Sequence, residues 1–96
     1  MHGEYKMPGG KLVVVDLDVQ QGRLADVQLS GDFFLEPDAA LHAINRALTG
    51  QPADAGEAEI SGAIRAALDA DVMMYGISPE AIAVAVQRAI QGNSTP

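Results

Sequence analysis

No cysteine occurs in the 96 residues, which excludes disulfides, thiol nucleophiles and iron–sulfur ligation through Cys. Tryptophan is also absent and aromatic residues make up only 4%, so a core has to be assembled from Val, Leu, Ile, Ala and Met. Cations are scarce: six Lys and Arg stand against 13 Asp and Glu, a formal charge of −7. General nucleic-acid binding needs clustered cations to neutralise phosphates, so this balance excludes it, together with adsorption to an anionic membrane surface. The simplest consequence of the charge is solubility. No apolar run reaches the roughly 18–20 residues that a membrane helix needs. The opening Met1-His2-Gly3-Glu4 lacks the basic-then-apolar pattern of a signal peptide. These absences lead to the expectation of a soluble, cytoplasmic protein.

What is present fits one domain over residues 1–96. A chain of this length buries roughly 60–65% of the surface its unfolded form exposes, enough for a single core. Residues 4–7 alternate polar and apolar side chains, as a short edge strand does, and Pro8 ends them. Residues 12–19 are rich in β-branched side chains, with Val13, Val15, Leu17 and Val19 on one face and Asp16 and Asp18 on the other. Gln20-Gln21-Gly22 reads as a three-residue hairpin loop. That loop predicts the pairs Val19 with Arg23, Leu17 with Ala25, Val15 with Val27 and Val13 with Leu29, and sets Asp16 opposite Asp26 in water. Gly31 interrupts the second strand, which marks a bulge or the close approach of another backbone. Phe33 and Phe34 face opposite ways on an extended chain. The simpler reading folds both into the core; the other leaves one exposed.

Three helices follow. Pro37 and Asp38 predict the first turn of one, with Leu41, Ile44 and Leu48 as its stripe and Gly50 as its end. His42 and Arg46 share a face of that helix as surface residues. Residues 51–56 are linker-like, and residues 57–69 predict a second helix with Ile60, Ile64, Ala67 and Leu68 along one side. An apolar connector over residues 72–77 leads to Ser78-Pro79-Glu80, a helix opening with Ser as N-cap and Pro at N1. Ile82, Val86, Ala89 and Ile90 form its stripe, Gly92 ends it, and residues 93–96 are expected to fray. The order β-β-β-α-α-α predicts a two-layer α+β domain: a three-stranded antiparallel sheet covered by helices on one face.

Candidate chemistry is sparse. Ser30, Ser61, Ser78 and Ser94 lack a nucleophile elbow, and His2 and His42 lie far apart in sequence. The pairs Asp16/Asp18 and Asp69/Asp71 are what a chain this acidic produces by chance. One stretch does stand out. Both lysines of the chain, Lys6 and Lys11, flank Met7-Pro8-Gly9-Gly10. The spacing is not that of a Walker loop, but glycine amides beside two ammonium groups suit an anion. Chemistry alone leaves two readings open, an anion-holding loop or a flexible turn with incidental lysines.

The stretch from Gly3 through Leu12, Gly-Glu-Tyr-Lys-Met-Pro-Gly-Gly-Lys-Leu, resembles the signature that opens the accessory, C-terminal-type domain of lipoate–protein ligases. Gly31-Asp32-Phe33-Phe34 with Pro37 is similar to that family's second motif, and Ser78-Pro79-Glu80 to the start of its last helix. The resemblance covers nearly the whole chain. It implies a fold like that of iron–sulfur scaffold proteins, without their cysteines. It also implies a non-catalytic accessory subunit of a two-chain ligase that activates lipoate with ATP to lipoyl-adenylate and then transfers lipoyl to a lysine of an acceptor domain. Such a subunit forms a heterodimer with the catalytic chain, supports adenylation by closing over its active site, and shifts away for transfer. ATP with magnesium, and lipoate, are then held by the complex, with no cofactor bound by this chain alone. Neither the lipoate-binding glycine-rich motif nor the adenylating lysine motif of the catalytic domain appears. With Met1 close before the first motif, the expectation is a stand-alone subunit.

On this resemblance Lys6, Pro8, Gly9, Gly10 and Lys11 are expected to face the adenylate or the partner, with Lys11 or Lys6 near the phosphates. Gly31, Asp32, Phe33 and Phe34 shape or support that surface. Two further readings compete: an acidic adaptor that docks a basic partner with no role in lipoylation, and an acyl acceptor modified on Lys6 or Lys11. Acceptor domains of that kind are all-β, which three helices contradict.

Overall fold

The computed structural model describes residues 1–9 and 11–91. Strands β1 (His2–Lys6), β2 (Leu12–Gln20) and β3 (Arg23–Gly31) form an antiparallel sheet in the order β1-β2-β3. Helices α1 (Ala39–Leu48), α2 (Glu57–Ala67) and α3 (Pro79–Gln91) follow. Two short strands, β4 (Phe34–Glu36) and β5 (Met73–Tyr75), pair into a separate antiparallel ribbon. The domain is thus α+β, as the order of elements predicts; the ribbon is an addition. Its β5 lies in the stretch read as a short apolar connector, because three residues carry too short a pattern to declare a strand.

The inner face of the sheet carries Val13, Val15, Leu17, Leu24, Val27 and Leu29, all buried. Against it lie Ile44 and Leu48 of α1, Ile60 and Ile64 of α2, and Ile82 and Val86 of α3, each fully buried. No aromatic ring is among the buried residues. Helix α3 is the central one: Ala81, Ala83, Ala85 and Ala89 are buried as well, so small side chains let it lie close to both the sheet and α2. Closest of all is its crossing over β1. A Cβ at Gly3 would fall 2.2 Å from the Ala85 carbonyl oxygen and 2.4 Å from the Ala89 nitrogen. Arg88 closes the same crossing from outside, its guanidinium 5.1 Å from the Tyr5 ring centre and its Nη1 donating to the Glu4 carbonyl at 3.0 Å. Gly92 and residues 93–96, expected to end α3 and fray, lie outside the described residues.

The hairpin is present with a different register. Gln21 and Gly22 both take positive φ (56° and 76°), so the turn has two residues rather than three. Gln20 pairs with Arg23, Val19 with Leu24 and Asp18 with Ala25, while Asp16 pairs with Gln28 and Val15 with Leu29. Between these segments Asp26 (φ 52°) and Val27 oppose the single residue Leu17, forming a bulge on β3. The bulge changes the phase of β3, so Leu24 is buried where strict alternation would bury Ala25. The larger apolar side chain wins the core. Asp16 and Asp26 are therefore not opposed. Instead Asp16 accepts from His2 Nδ1 and Glu4 from His2 Nε2, both at 2.7 Å, on the outer face of the sheet.

Helix α1 begins at Ala39 with Asp38 as N-cap, two residues later than Pro37 at N1 predicts. Pro37 sits in a preceding turn, its carbonyl accepting from Ala40. Asn45 bonds the β3 backbone at Leu29, 3.0 Å away, tying α1 to the sheet. Helix α2 ends at Ala67; Leu68 is already extended (φ −100°, ψ 140°) and Ala67 is exposed. Residues 51–56 are no free linker. Leu24 donates to Gln51, Ala53 to Gly22 and the Gln87 amide to Ala55, so the segment is stitched to β3 and α3.

Two outcomes are expected. Gly3→Ala forces β1 and α3 apart and lowers the unfolding free energy by about 1–3 kcal/mol, measured by urea denaturation. The second concerns pH. Hydrogen bonds donated by His2 to Glu4 and then to Asp16 raise its pKa, so its stabilising effect is complete below the unfolded value of about 6.5 and lost as pH rises through the folded value. The stability difference between wild type and His2→Gln should be larger at pH 6 than at pH 9.

Candidate functional site

The two motifs of the sequence meet at one end of the sheet. The loop between β1 and β2 is closed by Met7 N–H donating to the Lys11 carbonyl at 2.7 Å. Pro8 and Gly9 are exposed, and Gly9 holds φ +102° with nothing within 4 Å of a Cβ position. Glycine is required there by conformation, and open space above it leaves the backbone approachable. Gly10 lies outside the described residues. The lysines leave this loop on opposite sides. Lys6 continues the outward row of His2 and Glu4 and is exposed. Lys11 follows Met7 toward the helical layer, where its stem crosses Gly76 just after β5: a Cβ on Gly76 (φ +76°) would fall 2.7 Å from Lys11 Cγ.

The second motif is fixed to the first by backbone. Gly31 pairs with Val13, and a Cβ at Gly31 would lie 2.1 Å from the Leu12 carbonyl oxygen, at φ +142°. The close approach expected at this glycine is present. The same carbonyl accepts from Asp32 N–H at 3.0 Å, so the chain leaves the sheet in a set direction. Phe33 then packs against the core. Phe34 does not follow it; it is 57% exposed, which overturns the simpler reading that both rings are buried. Phe34 pairs with Tyr75 across the ribbon, ring centres 6.1 Å apart at 46°. Beside them a shallow cavity of about 250 Å³ is lined by Phe33, Phe34, Leu35, Asp38, Leu41 and His42.

The structure therefore gathers Lys11, Gly31, Asp32, Phe33 and Phe34 with Tyr75 and Gly76 at one end, and directs Lys6 away from them. Among the described residues no group of three or more His, Asp or Glu is placed to hold a metal ion. The arrangement is suited to covering or contacting something: an approachable loop, a lysine steadied along its stem and an aromatic pair in solvent.

No protein-family profile and no curated protein matches the chain. A solved structure does. It comes from work on an archaeal lipoylation system of Thermoplasma acidophilum, a bipartite lipoate protein ligase and its E2 lipoyl domain. That chain is 28% identical, superposes with a TM-score of 0.67, and is matched over 97% of its own length and 90% of this one. The likeness is to one component of a lipoylation system. At this identity and coverage it extends beyond shared architecture to sequence, over nearly the whole domain. No helix among the described residues is long and apolar enough to cross a membrane.

Sequence reasoning missed Tyr75 and Gly76. The only signal was Met73-Met74-Tyr75-Gly76, a short apolar run closed by a glycine, and its pairing with Phe34 is visible only once the fold brings residues 34 and 75 together. Gly76→Ala is expected to cost about 1–2 kcal/mol through the left-handed backbone. It should also shift the Lys11 resonances in a two-dimensional NMR spectrum while those of Gln20 at the far hairpin stay in place.

Proposed function

We propose that this chain is the non-catalytic accessory subunit of a two-chain lipoate–protein ligase, supporting ATP-dependent activation of lipoate to lipoyl-adenylate. The observation that carries the proposal is the end-to-end likeness to a chain from a bipartite ligase system. The two motifs shared with the accessory domains of such ligases agree with it, being the segments that converge at one end of the sheet. An acyl-acceptor role is disfavoured because acceptor domains are all-β, whereas three helices cover the sheet here.

In activation the lipoate carboxylate attacks the α-phosphorus of ATP, forming the mixed anhydride and releasing pyrophosphate. In transfer the acceptor lysine amine attacks the acyl carbon and AMP departs. In the first step negative charge develops across the triphosphate and the departing pyrophosphate; in the second it develops only on the single phosphate of the departing AMP. A second chain that brings one ammonium group and excludes water strengthens that first step electrostatically. Lys11 fills this role in our reading, since Gly76 steadies its stem while its end stays exposed; the open backbone at Gly9 permits close approach. ATP with magnesium, and lipoate, are held by the catalytic chain. Closure for activation and withdrawal for transfer follow the logic of a mobile lid.

The test is lipoate-dependent exchange of pyrophosphate into ATP by the catalytic chain, with and without this protein. Stimulation of about tenfold or more is expected; equal rates overturn the proposal.

A further inference from the structure

We infer that the outer face of the β4–β5 ribbon is the surface on which the catalytic subunit docks, and that the catalytic subunit meets it with an apolar side chain flanked by Lys or Arg. The inference rests on the accessory role proposed above and names the surface that role requires.

Four large apolar side chains are exposed among the described residues: Met1, Phe34, Met73 and Tyr75. Three of these four belong to this one ribbon. They share a face by register, Phe34 opposite Tyr75 and Glu36 opposite Met73, while Leu35 and Met74 point the other way into the core. A ribbon with three residues per strand cannot stand alone in water and is held by its inner side chains. Its outer face is thus an apolar platform on a fixed base. Concentration of exposed apolar area at one place marks an interaction surface, where scattered residues would not. Aromatic anchors lose little conformational freedom on binding, and the Phe34–Tyr75 contact already restrains both rings.

Charge states what kind of partner fits. Glu36 stands on the platform beside Met73, and Asp38 lines the adjoining cavity with Phe34. A second copy of this chain would set these carboxylates against their own images around a two-fold axis, in molecules each carrying −7. A partner with a basic rim around an apolar anchor satisfies both features. The platform also adjoins Tyr75-Gly76, the seat of the Lys11 stem, so docking here brings the lysine loop to the same partner.

The test uses the lipoate-activating chain of the same organism as the probe and titration calorimetry as the readout. Wild type should bind, Phe34→Ala/Tyr75→Ala should bind at least tenfold more weakly, and Glu36→Lys should weaken binding less at high salt than at low salt. All three replaced side chains are exposed, and circular dichroism checks that the variants fold. A second measurement does not depend on truncating rings. The chain has no cysteine, so Met73→Cys and, at the far hairpin, Gln20→Cys accept a single polarity-sensitive dye. Adding the catalytic chain should shift the emission of the first to the blue and leave the second unchanged. Wild-type binding with an unaltered double variant and no shift at position 73 overturns the docking surface alone. Absence of any wild-type binding overturns the accessory role together with it.

Discussion

The Leu12 carbonyl is the point on which this small domain turns. It accepts from Asp32 N–H and lies where a side chain on residue 31 would have to be. Only glycine lets the end of β3 pass this close to the start of β2, and the passage directs the following residues out of the sheet. From it follow the packing of Phe33, the start of β4, the pairing with β5 and the placement of Gly76 under Lys11. Two motifs separated by the whole hairpin are thus one structure, joined by backbone rather than by side-chain contacts.

A comparable crossing sets the other edge. Gly3 admits α3 onto β1, and the alanines of α3 keep the approach close along the helix. The first motif therefore contains glycines with different tasks. Gly3 is a packing residue at the helix–strand crossing, whereas Gly9 faces open space and serves the shape of the loop. A core without buried aromatic rings depends on such close approaches, since its aliphatic side chains are small. No aromatic ring lies wholly inside: Tyr5 and Phe33 pack half-buried against the core, and Phe34 and Tyr75 meet in solvent.

How much was legible in the sequence differs by element. The three helices and three main strands were readable because each buries one face through a pattern several residues long. Ile60 and Ile64, or Val13 and Val15, repeat at the helical and strand periods. The register of the hairpin was not readable. It depends on a bulge at Asp26 that exchanges Ala25 for Leu24 in the core, which is formed with helices packed on the inner face of the sheet from later in the chain. The ribbon was half legible: Gly31 announced a close approach, but nothing local tells that Phe34 will stay in water or that Tyr75 will join it. Lys6 and Lys11 looked equivalent along the chain, and the alternation of a strand separates them. The family resemblance singled out two segments that the fold brings together, and the fold distinguishes their parts.

In the proposed role, Lys11 acts in one of two chemical steps. Lys11→Ala, combined with the catalytic chain, should be compared in two half-reactions: formation of lipoyl-adenylate from lipoate and ATP, and transfer to the acceptor domain from lipoyl-adenylate supplied ready-made. The first step should be slowed and the second unchanged; equal slowing of both, or of neither, would contradict the proposed role of Lys11.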